Sequence, residues 1–119
     1  MNVTDGQFDL LSHLMDVASL RHQVIAQNIA NVNTPGYHER EVTFEEALKG
    51  QLGKNAAAAL LHAKPQVVEN TGGRMRADGN NVDVDLEMGR LSDNTLLYNT
   101  YAQLLAKRIS AMRSAITGQ

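Results

Sequence analysis

The chain has 119 residues and a mass of 13.0 kDa, enough for one domain and too little for a multidomain enzyme. Hydrophobic residues make up 43% and charged residues 20%, so the chain can fold, but aromatics are only 4% and any core must be aliphatic. Eleven basic and 13 acidic residues leave a net charge of -2, which disfavours nucleic acid and anionic membranes, and the lack of Cys excludes disulfides, thiolate metal sites and a cysteine nucleophile.

The N-terminus, Met1 to Gly6, has neither a basic nor an apolar signal region, so no cleavable secretory signal is expected. The longest apolar run, Ala56 to Leu61, is far short of the roughly 20 residues that span a bilayer. On these grounds alone the location reads as cytoplasmic.

From Phe8 to about Asn33, Leu11, Met15, Ala18, Ile25, Ile29 and Val32 follow the four-and-three step of one helix face, with His22 filling the gap in the stripe. Thr4 or Asp5 caps the start. Pro35 drives the residue before it out of the α region, and Pro35-Gly36 suits the centre of a type II turn, so the helix should stop near Asn33.

The middle, from Tyr37 to Asn81, has no sustained period. Glu39 to Leu48 reads as a short strand or a turn of helix, and Ala56 to Ala63 as an unanchored helix. Gly50, Gly53, Pro65, Gly72, Gly73 and Gly79 suggest a mobile connection, of a length that in a compact domain is usually functional or ordered by a partner.

The C-terminal segment carries Val84, Met88, Leu91, Thr95, Tyr98, Ala102, Leu105, Ile109, Met112 and Ile116 at strict four-and-three spacing, a coiled-coil-like seam. Leu97, Tyr101, Leu104, Arg108, Ala111 and Ala115 form a parallel row beside it, so this helix could contact two neighbours. Asp83, Asp85 and Glu87 at its start and Lys107, Arg108 and Arg113 near its end agree with the helix dipole, and Gly118 stops it. At about 1.5 Å per residue such a helix is roughly 50 Å long, more than the width of a compact domain of this size.

Catalytic constellations are weak. His13, His22, His38 and His62 have no metal-ligand spacing, and Ser12, His13 and Asp16 would be helix-surface neighbours with nothing to build an oxyanion hole. The oxygen-rich stretch Asp78 to Glu87 fails the calcium-loop template, since its sixth and twelfth positions hold Asp83 and Gly89 in place of Gly and Glu. It reads instead as turn residues followed by a helix cap at Asp83 or Asp85. Thr71-Gly72-Gly73-Arg74 lacks the Lys and Ser or Thr of a phosphate loop. No catalytic residue, metal or cofactor is expected.

Two motifs carry a resemblance. Asn28-Ile29-Ala30-Asn31-Val32-Asn33-Thr34-Pro35-Gly36-Tyr37 resembles the N-terminal signature of the bacterial flagellar axial proteins, and Asp78-Gly79-Asn80-Asn81-Val82-Asp83 resembles that of the proximal rod proteins of the basal body, the FlgB family. The motif residues are Asn28, Asn31, Thr34, Pro35, Gly36, Tyr37, Asp78, Gly79, Asn80 and Asn81. The family implies a structural, non-enzymatic subunit of the periplasmic rod, exported through the flagellar type III apparatus without a cleaved signal, which replaces the cytoplasmic reading. It implies as partners the chain itself, other rod proteins, the rod adaptor protein FliE, the MS ring at the rod base and the export apparatus, and no nucleic acid.

Together these readings predict a mainly α fold in which two long terminal helices pair antiparallel in a coiled-coil-like arrangement, joined by an irregular middle. The divisions are residues 1–35 for the first helix and turn, 36–82 for the connector and 83–119 for the last helix. The expected assembly seam is Leu11, Met15, Ala18, Ile25, Ile29 and Val32 with Leu91, Tyr98, Leu105, Ile109, Met112 and Ile116. The rival reading is a small helical adaptor or chaperone that uses the same faces for one partner in a discrete complex.

Overall fold

The computed structural model describes residues 3–44 and 56–118. In chain order the elements are α1 (Val3–Ala30), β1 (Arg40–Thr43), α2 (Ala56–His62), β2 (Gln66–Glu69) and α3 (Val84–Thr117). The expected strand or helical turn after Tyr37 is the strand β1, with Ala47 and Leu48 outside the described residues, as are Gly50 and Gly53; Thr4 and Asp5, expected to cap α1, instead lie within it, since it begins at Val3.

The two long helices pack against each other and run antiparallel: Asn28 near the end of α1 meets Glu87 in the first turn of α3, and Ala18 further back meets Asn94 further on. The long axis measures 64 Å and the radius of gyration is 18.1 Å, against about 13.5 Å for a compact chain of this length, because α3 alone extends about 51 Å. None of the described helices is long and apolar enough to cross a membrane.

Regular α-helix ends at Ala30, three residues before the predicted stop. Asn31 and Val32 close i to i+3 turns onto the Asn28 and Ile29 carbonyls, and the Asn31 side chain donates to the Gln27 carbonyl at 2.7 Å. The early ending follows from short polar side chains that compete for the last helical carbonyls. Beyond it Tyr37 N–H donates to the Thr34 carbonyl at 3.2 Å with Gly36 at φ 75, the positive φ that the third position of a type II turn demands.

α3 is capped at both ends. Asp83 accepts from Leu86 N–H at 3.2 Å, and Gly118, at φ 73, donates to the Ser114 carbonyl at 2.9 Å. Gly89 is accommodated inside the helix, which begins at Val84.

The connector is more ordered than its composition suggests. β1 and β2 form an antiparallel pair, with Arg40 opposite Glu69 and Thr43 opposite Gln66. Two four-residue strands with no turn dipeptide between them leave almost no periodic signal, so pairing across the intervening chain was invisible to pattern reading. The main core lies where this hairpin meets α1: Val17, Val24, Val42 and Phe44 are buried together, with Leu14, Leu20, Leu60 and Ala63 packed around them. His13 sets its ring edge on Phe44, 5.5 Å between centroids, and donates from Nε2 to the Ala63 carbonyl at 2.7 Å, which ties the end of α2 to α1.

Candidate functional site

The family-motif residues from the two halves of the chain come together in one polar junction at the end of α1 and the start of α3. At its centre is Asn28, fully buried. Its amide donates to the Arg40 carbonyl at 2.8 Å and to Glu87 Oε2 at 3.1 Å. Its oxygen accepts from the Tyr37 hydroxyl at 2.9 Å and from Arg40 N–H at 3.0 Å. An Asn side chain has two donors and two acceptor lone pairs, and all four are used. Both backbone groups of Arg40 on the outer edge of β1 are therefore satisfied by one side chain, in place of a third strand.

Asn80, also fully buried, does the same for the helix end: its amide donates to the Asn31 and Thr34 carbonyls, both at 2.9 Å, and its oxygen accepts from Val82 N–H at 2.8 Å. Asn81 completes the hairpin by accepting from Glu39 N–H at 2.6 Å and donating to the Asn70 carbonyl at 2.7 Å, so it stands where a ladder bond would otherwise run. The Asp78 carbonyl accepts from Gly36 N–H at 2.8 Å, and its carboxylate accepts from Asn80 N–H at 3.0 Å. Gly79, at φ 84, lies against Gly36, where an added Cβ would sit 3.6 Å from the Gly36 Cα. Thr34 donates its hydroxyl to Asn31 Oδ1 at 3.1 Å, and Pro35 is exposed on the turn.

Four charged residues not expected from sequence complete the junction. Glu87, about 1% exposed, accepts from Asn28 and from Arg90 at 2.7 Å. Arg90 also donates to Glu39, which is buried on the hairpin. Arg76 donates to the Val82 carbonyl at 2.6 Å and to the Val32 carbonyl. Burial pushes the Glu87 carboxyl above its ordinary range, the Asn28 donor partly offsets this, and the nearby Asp83 charge adds to the rise. Burial likewise raises the Tyr37 hydroxyl, against the lowering effect of the Arg40 guanidinium 5.8 Å from its ring.

The expected seam residues divide into three groups. Ala18 and Ile25 are buried; Leu11, Met15, Ile29, Val32, Leu91 and Leu105 are half-buried; Tyr98, Ile109, Met112 and Ile116 are exposed. At the start of α3 the inward face differs from the spacing-based one: Val84, Met88 and Thr95 point to solvent, while Glu87 and Asn94 are buried. Asn94 donates to the Ala18 carbonyl at 2.7 Å, so polar bonds replace apolar knobs in this part of the pairing. The signal that could have found it was the polar Asn94 between Leu91 and Thr95 on a helix otherwise rich in apolar residues. His22, expected on the packed stripe, is exposed and borders a groove with Ser19 and Tyr98. Among the described residues no group of three His, Asp or Glu is placed to hold a metal ion.

A hub that ends one helix, starts another and fixes a hairpin to both, with its donors and acceptors paired inside the chain, defines a structural junction. Residues 16–38, the second half of α1 and the turn after it, match the family profile described as "Flagella basal body rod protein". Flagellar basal body rod protein FlgB of Borrelia hermsii is 32% identical, covering 98% of this chain and 99% of its own length. The FlgB proteins of Bacillus subtilis strain 168 and Escherichia coli K12 are 25% and 29% identical, covering 99% and 94% of this chain and 98% and 94% of their own lengths. The chain belongs to the FlgB family of flagellar basal body rod proteins. It is a structural protein of the basal body rod.

Proposed function

We propose that the subunit builds the proximal rod through α3, whose apolar surface is covered by neighbouring subunits. One observation carries this reading: of the 34 residues of α3 the buried ones are the polar Glu87 and Asn94, while Leu96, Leu97, Leu104, Ile109, Met112 and Ile116 are exposed. Burying apolar area stabilises by about 25 cal/mol per Å², and a helix that keeps its large aliphatic groups outside has that term available for association. Repeated head-to-tail contacts of this kind that do not close generate a filament.

In this reading the assembly seam is Leu11, Met15, Ala18, Ile25, Ile29 and Val32 within the subunit, extended by Leu91, Tyr98, Leu105, Ile109, Met112 and Ile116 towards neighbours. The junction around Asn28 sets the angle between the helix pair and the hairpin, so that torque carried across the periplasm meets a stiff joint. The partners are other copies, further rod proteins, the adaptor FliE and the MS ring, reached after export by the type III apparatus; no nucleic acid and no catalysis are involved. The three segments 1–35, 36–82 and 83–119 act as one axial-type unit.

The test is Ile109→Asp. Ile109 is 44% exposed, so the variant should keep the helicity of the parent and still be exported, but rods should fail to assemble. Normal rods in that strain would remove the role given to the seam, and a discrete soluble complex with one other protein in place of a polymer would favour the adaptor reading.

A further inference from the structure

The two ends of α3 carry opposite charge. Its start exposes Asp83, Asp85 and Asp93, whereas beyond Asp93 the helix has Lys107, Arg108 and Arg113 and no acid. The helix's own dipole does not account for these cations, because it acts within the last turn and the last turn of α3 has no basic residue. Pairing inside the chain does not account for them either. Among the described residues no hydrogen bond or ion pair holds the side chains of Asp85, Lys107, Arg108 or Arg113. Apolar groups divide in the same way. At the far end, Phe8 of α1 and Ile109, Met112 and Ile116 of α3 line an open groove of about 300 Å³, and the one charged side chain that lines it is Arg113. At the start, Val84 and Met88 are exposed one turn apart with the exposed Asp85 beside them. Met88 points about 160° around the helix from Arg90, the side chain that reaches the hairpin, so this flank is turned away from the rest of the subunit.

We propose that the groove at the end of α3 seats the start of α3 from a second copy of this chain, with Val84 and Met88 packed on Phe8, Ile109 and Ile116 and Asp85 paired with Arg113. The contact rests on the rod reading above and specifies which two surfaces meet. Because they are different surfaces, each docked copy still offers one free groove and one free start, and the contact repeats head to tail. Screw repetition keeps every copy pointing the same way, so opposite charges meet only through an axial stagger. From the middle of Val84–Met88 to the middle of Ile109–Ile116 is about 26 residues, a stagger of about 40 Å. The charges select this register. Copies side by side without stagger would place Asp85 on Asp85 and Arg113 on Arg113, which disfavours that arrangement.

Charge reversal tests it in the full-length protein. Asp85→Arg or Arg113→Glu alone places like charges at every contact, and the number of assembled rods should fall at least about fivefold. The two together exchange the charges and should return rods to within about twofold of the parent. Circular dichroism of each variant reports whether α3 is intact; both residues are exposed, so helicity should not change. Thiol cross-linking reads the contact directly, because the chain has no Cys. With Met88→Cys and Met112→Cys in the same chain, mild oxidation of isolated rods should link copies into dimers and longer products. Either substitution alone should give none, since the contact joins different positions.

Single reversals that build rods as well as the parent overturn the proposal, as does a double reversal that stays as poor as the singles. So do assembled rods that give no link from the two-thiol chain, single-thiol chains that link equally well, or a link to a different protein in place of a second copy. Those outcomes leave the rod reading standing. The rod reading fails separately, through normal rods with Ile109→Asp.

Discussion

Asn28→Asp changes one NH2 group into an oxygen and nothing else in shape, so it isolates what the junction's centre contributes. The two hydrogen bonds that Asn28 donates, to the Arg40 carbonyl at 2.8 Å and to Glu87 Oε2 at 3.1 Å, become contacts between acceptors. Losing one neutral and one charge-assisted bond removes about 2–4 kcal/mol. Two carboxylates at that separation would repel by roughly 5 kcal/mol at an effective dielectric of about 20, so the pair should take up a proton in preference to remaining doubly charged. The net loss expected at pH 7 is about 3–5 kcal/mol.

The sign with pH follows from that proton. The folded variant binds a proton more tightly than the unfolded chain, so its deficit relative to the parent should shrink as the pH falls towards the ordinary carboxylate range. Urea unfolding followed by helical circular dichroism measures the difference, and exchange of the Arg40 amide, which donates to Asn28 Oδ1, reports the hub locally. A variant within about 0.5 kcal/mol of the parent at pH 7, or a deficit independent of pH, would refute the assignment of Asn28 as the buried centre, since surface substitutions fall in that range.

Glu87→Gln should flatten the pH dependence of stability. The folded-state value of Glu87 is raised by burial, so its favourable contribution is complete below its unfolded value of about 4 and is lost as the pH rises through the raised folded value. Urea midpoints across that range measure the slope, and an unchanged slope in the variant would contradict it. Gly79→Ala places a side chain at φ 84 against Gly36 and should lower stability by about 1–2 kcal/mol, read from the thermal midpoint. The assembly defect of Ile109→Asp and the reversal series at Asp85 and Arg113 complete the set, both read from rod formation.

Much of the architecture was legible because it follows from local rules. The stripe from Leu11 to Val32, the Pro35-Gly36 turn, the Asp83 cap and the Gly118 stop are each set by residues within a turn or two of one another. The two asparagine-rich motifs could be recognised as signatures, but each by itself reads as turn chemistry. Their joint purpose depends on contacts across some 50 residues, such as Asn80 on the Asn31 carbonyl, and no period or spacing encodes a contact of that range.

By itself, then, the sequence determined two long helices, the turn that follows the first, the stop of the second, and the aliphatic character of the core. Tertiary structure alone decided that α1 and α3 are joined at the start of α3 by Glu87 and Asn94 and not by Val84 and Met88, and that Asn28 stands in for a strand beside β1. The physical reason is that hydrophobic burial follows a helix period and can be read along the chain. A buried polar group must instead have its partners within hydrogen-bond reach, and those partners are known only when the chain has folded back on itself.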